Sequence, residues 1–490
     1  MDRAVLDRKV AALAREPGVD PELAYQLGAT LASRDDWQLL RINPVRFAAE
    51  LGWDPRQTLD LMLRAVRTGL LDFAWSFVCP LCGGVEQSYE TIAALAASAG
   101  GEFHCTPCDI DTVVELDEVI EVSFTINASV HALRLDVYAD VSSYERYFRS
   151  ASVERSPEMQ RYLDHNRLAF RSVPPGGTER LRFDAAPGHY RLTTYDVHDR
   201  LEITVEERPA AEQHLDVQLG SGGLVPRDVV LGAGNVALHV HNHTPARAGV
   251  TLFRVKRDEI MGIIANSPNC WHPRLSGKLL LNNQTFRDVF GMDRLRSTLQ
   301  LKMRSLTILF TDLKGSTAIY DRVGDLVAYS LVRDHFAVLR DAVREHSGAI
   351  VKTMGDSLMA TFSSPDDGVA AALAMMSGVA CLGERWQRDG LELGLKIGLH
   401  EGPALVINAD ERLDYFGQAV NIAARVQGLA AAGEVWLTAA IFGYEAVRRQ
   451  LEARHLEPRP LTAALKGVGD PVAVYCCQVA APRGQPVPTR

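Results

Sequence analysis

LTILFTDLKGST, residues 306–317, decides how the last third of the chain is read. LTILF forms a continuous apolar strand that delivers Asp312 at its end. Gly315, Ser316 and Thr317 follow as flexible backbone, ahead of a helix expected to begin near Ala318. A carboxylate at a strand end, then adaptable backbone, then a helix N-terminus is a layout for a divalent cation and phosphate oxygens. Some forty residues on, AIVKTM (349–354) and LMATF (358–362) flank Gly355-Asp356, a two-residue hairpin turn that brings a second carboxylate to the rim of the same sheet. Two such carboxylates can share two Mg²⁺ or Mn²⁺ ions, which lower the pKa of an attacking hydroxyl and neutralise a leaving group in phosphoryl transfer. Each fragment alone is a weak signal, because a single Asp near a turn is most often a cap or turn former.

The rest of the chain sets the context. At 490 residues it exceeds what one core organises, so several domains are expected. With 52 Lys and Arg against 61 Asp and Glu, the net charge of −9 gives no general attraction to nucleic acid or anionic lipid. A hydrophobic content of 47% with 23% charged residues lies in the globular range and away from disorder. The longest uncharged run of the C-terminal half, 368–383, is shorter than the roughly 20 residues a membrane helix needs and reads as a buried helix. The N-terminus has no uninterrupted apolar stretch ahead of a cleavage site, and the cysteines do not form a secreted framework. A cytoplasmic protein is expected.

NPVRFAAELG (43–52) and DPRQTLDLMLRAVRTG (54–69) each carry a capping residue, a proline in the first turn and a glycine at the exit, which predicts a helix-turn-helix-like pair. Residues 1–110 hold ten basic against fifteen acidic residues, the wrong sign for gripping a phosphate backbone, so packing is the expected role of the pair. FVCPLCGG (77–84) and FHCTPCDI (103–110) place Cys79, Cys82, Cys105 and Cys108 in two C-x₂-C knuckles. Four thiolates can enclose one structural Zn²⁺ and leave no open position for a reacting water; redox sensing is the alternative. From about 111 to 257 the period changes to two, in VIEVSFTI, ALRLDVYA, YRLTTYDV, RLEITVEE, HLDVQLG, VALHVHNH and VTLFRVKR, which predicts a β-sandwich. A charged, helix-prone insertion between 142 and 172 interrupts it. His239, His241 and His243 fall on one face of a strand, either as a metal-binding row or as a solvated polar face.

FTDLKGST, VKTMGDSLMATF, IGLHEGP and LDYFGQAVNIAAR, in that order, resemble the motifs of the class III nucleotidyl cyclases, the adenylate and guanylate cyclase family. The resemblance covers about 305–478. It implies that Asp312 and Asp356 hold the two metal ions and that Gly315, Ser316 and Thr317 lie at the substrate. It also implies that Lys352 and Asp414 read the purine. Lys with Asp is the adenine pairing, since Lys can donate to the ring N1 while a carboxylate accepts from the exocyclic amine. Asn421 and Arg425, four apart on one helix face, would orient the ribose and stabilise charge on the α-phosphate. Lys466, in LKGVGDPVAVY (465–475), resembles the lysine that holds the terminal phosphates. The implied reaction turns ATP into 3′,5′-cyclic AMP and pyrophosphate, in a head-to-tail homodimer formed through the cyclase domain. A guanylate cyclase, or a silent cyclase-like dimerisation platform beside a zinc-ribbon binding region, are the alternatives.

The expected architecture is a multidomain α+β chain. It comprises a helical segment (1–75), a Cys₄ zinc ribbon (76–110), a β-rich domain (111–260) and a linker with a transducing helix or tether (261–303). A ferredoxin-like or palm-type α/β cyclase domain (304–480) and a flexible tail (481–490) complete it. No membrane partner is expected, and the N-terminal half is expected to regulate.

Overall fold

A computed structural model describes every residue except 99–101, 118, 291–300, 315–323, 387–392, 410–411 and 480–490. The chain divides into two compact units, one of Met1–Val114 with Glu118–Leu275, the other of Glu115–Asp117 with Ser276–Arg490.

The first unit opens with four capped helices: α1 (Arg3–Leu13), α2 (Pro21–Ser33), α3 (Pro44–Leu51) and α4 (Pro55–Arg67). Asn43 accepts from the amides of Val45 and Arg46, and Asp54 from those of Arg56 and Gln57; caps of this kind are worth about 1 kcal/mol each. Gly52 ends α3 at φ 68°, a left-handed exit that glycine adopts without strain. Leu6, Leu13, Leu27, Leu31, Phe47 and Met62 form the buried face of these helices.

Strand β1 (Leu71–Val78) follows and pairs antiparallel with β2 (Val85–Tyr89). A second hairpin joins β3 (Glu102–Cys105) to β4 (Ile110–Val113). β5 (Ile120–Ile126) lies on the other side of β1, with Leu71 to Phe77 opposite Ile126 to Ile120. The VIEVSFTI run therefore joins the sheet that carries the first cysteine knuckle rather than the central β region.

Two further expectations differ locally. ALRLDVYA forms no strand. The Asp36 carboxylate accepts from the Arg134 amide at 2.6 Å, a donor that a ladder would otherwise take, and bonds the ring of His131, just before the run, at 2.6 Å. The insertion does contain helices α5 (Val141–Tyr147) and α6 (Pro157–Asn166), but RLAFRSV, which reads as its helical end, is strand β6 (Arg167–Val173). Asn166 turns its side-chain amide back to the Tyr162 carbonyl at the end of α6, and the chain leaves extended.

The central sheet continues through β7 (Thr178–Ala185), β8 (Gly188–Thr194), β9 (Asp199–Pro209), β10 (Gln213–Gly220), β11 (Gly223–Val225), β12 (Asp228–Asn242) and β13 (Ala248–Val255). Its order is β11-β10-β12-β9-β8-β13-β6, with β7 also paired to β12. The long β12 runs parallel to β9 over its first half and parallel to β10 over its second. It thereby joins two sheets whose inward residues, among them Tyr190, Leu192, Ile203, Val217, Leu238 and Leu252, bury one core.

The second unit begins with α7 (Gly277–Leu281) and α8 (Gln284–Phe290). Strand β14 (Leu301–Leu313), helix α9 (Asp325–Glu345), hairpin strands β15 (Ala349–Met354) and β16 (Ser357–Phe362), helix α10 (Pro365–Trp386) and strand β17 (Leu395–Ala409) follow. Then come β18 (Arg412–Phe416), α11 (Gln418–Gln427), β19 (Glu434–Thr438), β20 (Arg459–Ala463) and β21 (Val472–Gln478). The sheet order is β15-β16-β14-β17-β19-β21-β20, with β18 on β17. Its first four strands with α9 and α10 make the strand-helix-strand-strand-helix-strand succession of a ferredoxin-like fold. By length and composition α10 could cross a membrane, yet Val369, Ala372, Leu373, Met375 and Val379 pack into the main core of this unit with Leu309, Phe362, Leu399 and Val435.

Candidate active site

The continuous apolar run buries Leu306, Ile308, Leu309 and Phe310 between β16 and β17, and it exposes polarity only at its end, where Asp312 stands opposite Lys396 of β17. Asp312 Oδ2 lies 3.1 Å from Lys396 Nζ, and Oδ1 accepts from Ser357 Oγ at 2.9 Å. Ser357 adjoins Asp356, so the turn between β15 and β16 brings the second carboxylate to the same end of the sheet. Gly355, at φ 63°, is the turn position that requires a left-handed backbone. His335 of α9 is fully buried and faces Asp356. Burial pushes its pKa down to about 4, against the opposing pull of the Asp356 carboxylate. Two oxygen-donor side chains at one rim, one of them held by a lysine and a serine, fit a hard divalent cation. Gly315, Ser316, Thr317 and the helix start near Ala318 lie outside the described residues.

Lys352 and Asp414 meet although 62 residues separate them: Lys352 Nζ lies 2.6 Å from Asp414 Oδ2. A register shift between Ile350 and Lys352 re-aims β15 at this point. The strands that carry the pair are tied together by the segment before the domain, a role the sequence did not reveal. Asn282 Oδ1 accepts from Thr361 Oγ1 at 2.7 Å and from the Tyr415 hydroxyl at 3.2 Å. Gln284 Oε1 accepts from the Ile350 amide at 2.8 Å. Arg287 donates to the Leu413 carbonyl at 3.1 Å and to the Tyr415 hydroxyl at 2.9 Å. α8 thus clamps β15 next to Lys352 and β18 on both sides of Asp414.

Asn421 and Arg425 stand exposed on α11, while Ala419, Ala423 and Val426 on its other face are buried. The helix lies so close to β17 that a Cβ on Gly398 would come within 2.2 Å of the Gln427 backbone nitrogen. Lys466 is exposed in the turn after β20, and Leu465 beside it packs with Val426 of α11 and Val474. The predicted residues therefore form three groups. Asp312 and Asp356 share a sheet end, Lys352 and Asp414 form an ion pair, and Asn421, Arg425 and Lys466 project from one locally packed region without hydrogen-bond or ion-pair partners among the described residues.

In the first unit the Sγ atoms of Cys79, Cys82, Cys105 and Cys108 lie within 4.8 Å of one another. The Cys79–Cys108 and Cys82–Cys105 separations are 3.9 and 3.6 Å. A tetrahedron of sulfurs with ~2.3 Å bonds to a central ion has edges of about 3.8 Å, so the set fits a zinc-sized cation. Hydrogen bonds from Cys105, then Cys108 and Cys82, hold the Cys79 thiol below its ordinary range, whereas the crowding sulfurs, Cys105 first, hold Cys108 above it. The histidine row is satisfied differently: His241 bonds Asp216 at 2.9 Å and Thr178 at 2.9 Å, and His243 bonds Gln218 at 2.6 Å. Among the described residues the cysteines form the only cluster of three or more His, Cys, Asp or Glu side chains close enough to share one ion.

The chain is similar to several known proteins. The chain is 32% identical over 159 residues to adenylate cyclase 2 of Rhizobium meliloti, spanning 29% of this chain and 43% of that protein. It is 29% identical over 180 residues to an adenylate cyclase of Lachancea kluyveri, spanning 33% and 10%. The chain thus spans less than half the length of either relative. Among solved structures it is similar to the adenylyl cyclase CyaB of P. aeruginosa, with TM-score 0.32, 24% identity and coverage of 38% of this chain and 97% of that one. It is also similar to the guanylate cyclase domain of a Catenaria anguillulae protein in complex with GTP, with TM-score 0.31, 18% identity and coverage of 36% and 98%. Residues 300–469 match the model of the adenylate and guanylate cyclase catalytic domain, and through residues 7–288, more than half of its length, the chain belongs to a family of unknown function (DUF5939).

Proposed function

We propose that the chain is an adenylate cyclase that converts ATP to 3′,5′-cyclic AMP and pyrophosphate. The observation that carries this choice of base is the Lys352–Asp414 contact at 2.6 Å, a donor and an acceptor side by side at the position where the family reads its purine. Adenine offers an N1 acceptor to the lysine and an amine donor to the carboxylate; guanine reverses both groups and leaves each unpaired, at a cost of about 1–3 kcal/mol per group. Divalent cations held by Asp312 and Asp356 would activate the ribose 3′-hydroxyl and offset charge on the triphosphate. Asn421 orients the ribose, the Arg425 guanidinium stabilises charge that accumulates on the α-phosphate, and Lys466 holds the terminal phosphates with Gly315, Ser316 and Thr317. The 3′-oxygen attacks the α-phosphorus, pyrophosphate departs, and the ring closes.

Product formation from ATP and GTP, assayed side by side with Mn²⁺ and Mg²⁺, tests the reading. Cyclic AMP should dominate, and Asp312→Ala should abolish it. Cyclic GMP as the main product would sink the choice of base, and no product from either nucleotide would sink the enzyme.

The cysteine cluster is proposed as a structural Zn²⁺ site within a regulatory N-terminal half. Its four equivalent sulfur donors support structure over catalysis. Native mass spectrometry of protein purified without added metal should find one zinc per chain, absent in Cys108→Ser.

A further inference from the structure

Averaged along the sequence, the start of the chain is acidic, yet its folded form gathers arginines. The end of α2, the approach to α3 and the segment around α5 enclose a cavity of about 410 Å³ within the first unit. Arg34, Arg41, Arg46, Arg146 and Arg149 line it, and Glu50 is the single acid among the lining residues. That glutamate is shared, 2.7 Å from Arg34 and 3.4 Å from Arg46. Arg41 donates to the Tyr147 carbonyl, and Arg146 rests 4.9 Å over the Trp37 ring.

Arg149 has no hydrogen-bond or ion-pair partner among the described residues. Burial first, then the neighbouring Arg155, depress its pKa. The acids nearby are already engaged: Glu145 by Arg155 and Arg167, and Glu121 by the hydroxyls of Ser150 and Ser152. Five guanidiniums against one lining carboxylate leave a local excess of four positive charges in a chain whose net charge is −9. Arg34, Arg41 and Arg149 are half-buried while Arg46 and Arg146 are exposed, and like charges withdrawn from water are costly unless an anion joins them.

We propose that this cavity binds a small molecule carrying at least two phosphate groups. Guanidinium forks match phosphate oxygens two at a time, and a charge excess of four suits a multiply charged anion better than a single phosphate. The volume is that of a small-ligand site. The site lies wholly in the first unit and stands independently of the cyclase reading.

The test is calorimetric titration of the full chain with orthophosphate, pyrophosphate, tripolyphosphate and citrate, each at ionic strength matched with sodium chloride. Asp312→Ala/Arg425→Ala protein serves as the titrated form, to silence the proposed cyclase site. Pyrophosphate and tripolyphosphate should bind more tightly than orthophosphate or citrate. Arg149→Gln should weaken that binding roughly ten- to a hundredfold, the loss expected for one charge-assisted hydrogen bond. Arginine modification of the unmutated chain by phenylglyoxal, mapped by mass spectrometry, reads the same site without a substitution: pyrophosphate should slow reaction at Arg146 and Arg149. Binding indistinguishable from the salt control, affinity unchanged in Arg149→Gln/Arg146→Gln, or no protection of these arginines would each overturn the proposal.

Discussion

At the scale of single residues, what the sequence announced and what it concealed differ in a physical way. Asp312, Asp356, Lys352 and Asp414 sit in motifs whose spelling is itself a signal, and the structure joins two of them into an ion pair. Lys396 and His335 carry no such spelling. Lys396 matters because strand register sets it opposite Asp312, and His335 because the packing of α9 turns it toward Asp356. Neither relation exists before the sheet is assembled. His335 also has a measurable consequence. Its folded pKa of about 4 lies below the ordinary 6.5, so the unfolded chain binds a proton across that interval that the folded chain does not. Stability is therefore fully present above pH 6.5 and is lost as pH falls toward 4, by roughly 2 kcal/mol at pH 5 for this one group. His400, whose pKa burial also pushes down to about 4, acts in the same direction. The melting temperature should fall from pH 7.5 to pH 5, and His335→Leu should flatten that decline.

Elements were legible wherever local chemistry dictated them. The Asn-Pro and Asp-Pro starts with their Gly exits marked α3 and α4, and the Gly-Asp turn marked the hairpin of β15 and β16. Alternation alone was a poorer guide. ALRLDVYA alternates as well as its neighbours but gives its Arg134 amide to Asp36 and its Tyr138 hydroxyl to Asp196 and the Arg247 carbonyl instead of pairing with a strand, a choice made by tertiary contacts. The α7–α8 segment was the least readable, because Asn282, Gln284 and Arg287 take their meaning only from the strands they touch. The Tyr415 hydroxyl is the centre of that clamp, accepting from Arg287 and donating to Asn282. Tyr415→Phe removes both bonds while keeping the ring, so it should cost about 1–3 kcal/mol of stability. If the clamp positions Asp414, the variant should also lower the ratio of cyclic AMP to cyclic GMP formed from equal ATP and GTP. A fall in melting temperature with the ratio unchanged would reduce the clamp to a packing role.

For the whole molecule, the proposal is that one chain carries every required group but cannot use its own full set. Asp312 and Asp356 gather at one sheet end, whereas Asn421, Arg425 and Lys466 project to solvent from α11 and the nearby turn. Leu326, Tyr329 and Phe416 in the same unit are 85, 66 and 64% exposed, an amount of uncovered apolar surface that favours burial against a second copy. If two chains meet head to tail, each active site takes its acidic residues from one and its arginine from the other. Asp312→Ala and Arg425→Ala chains should then each be nearly inactive alone. Mixed and re-equilibrated, they form heterodimers in which one site holds both substitutions and the other holds neither. Random pairing makes half of all dimers heterodimers, so activity should return to about one quarter of the unmutated level. A chain that completed its site alone would give no recovery at all. Heterodimer formation is read from the same sample by native mass spectrometry, so a failure to pair is separated from a failure to share.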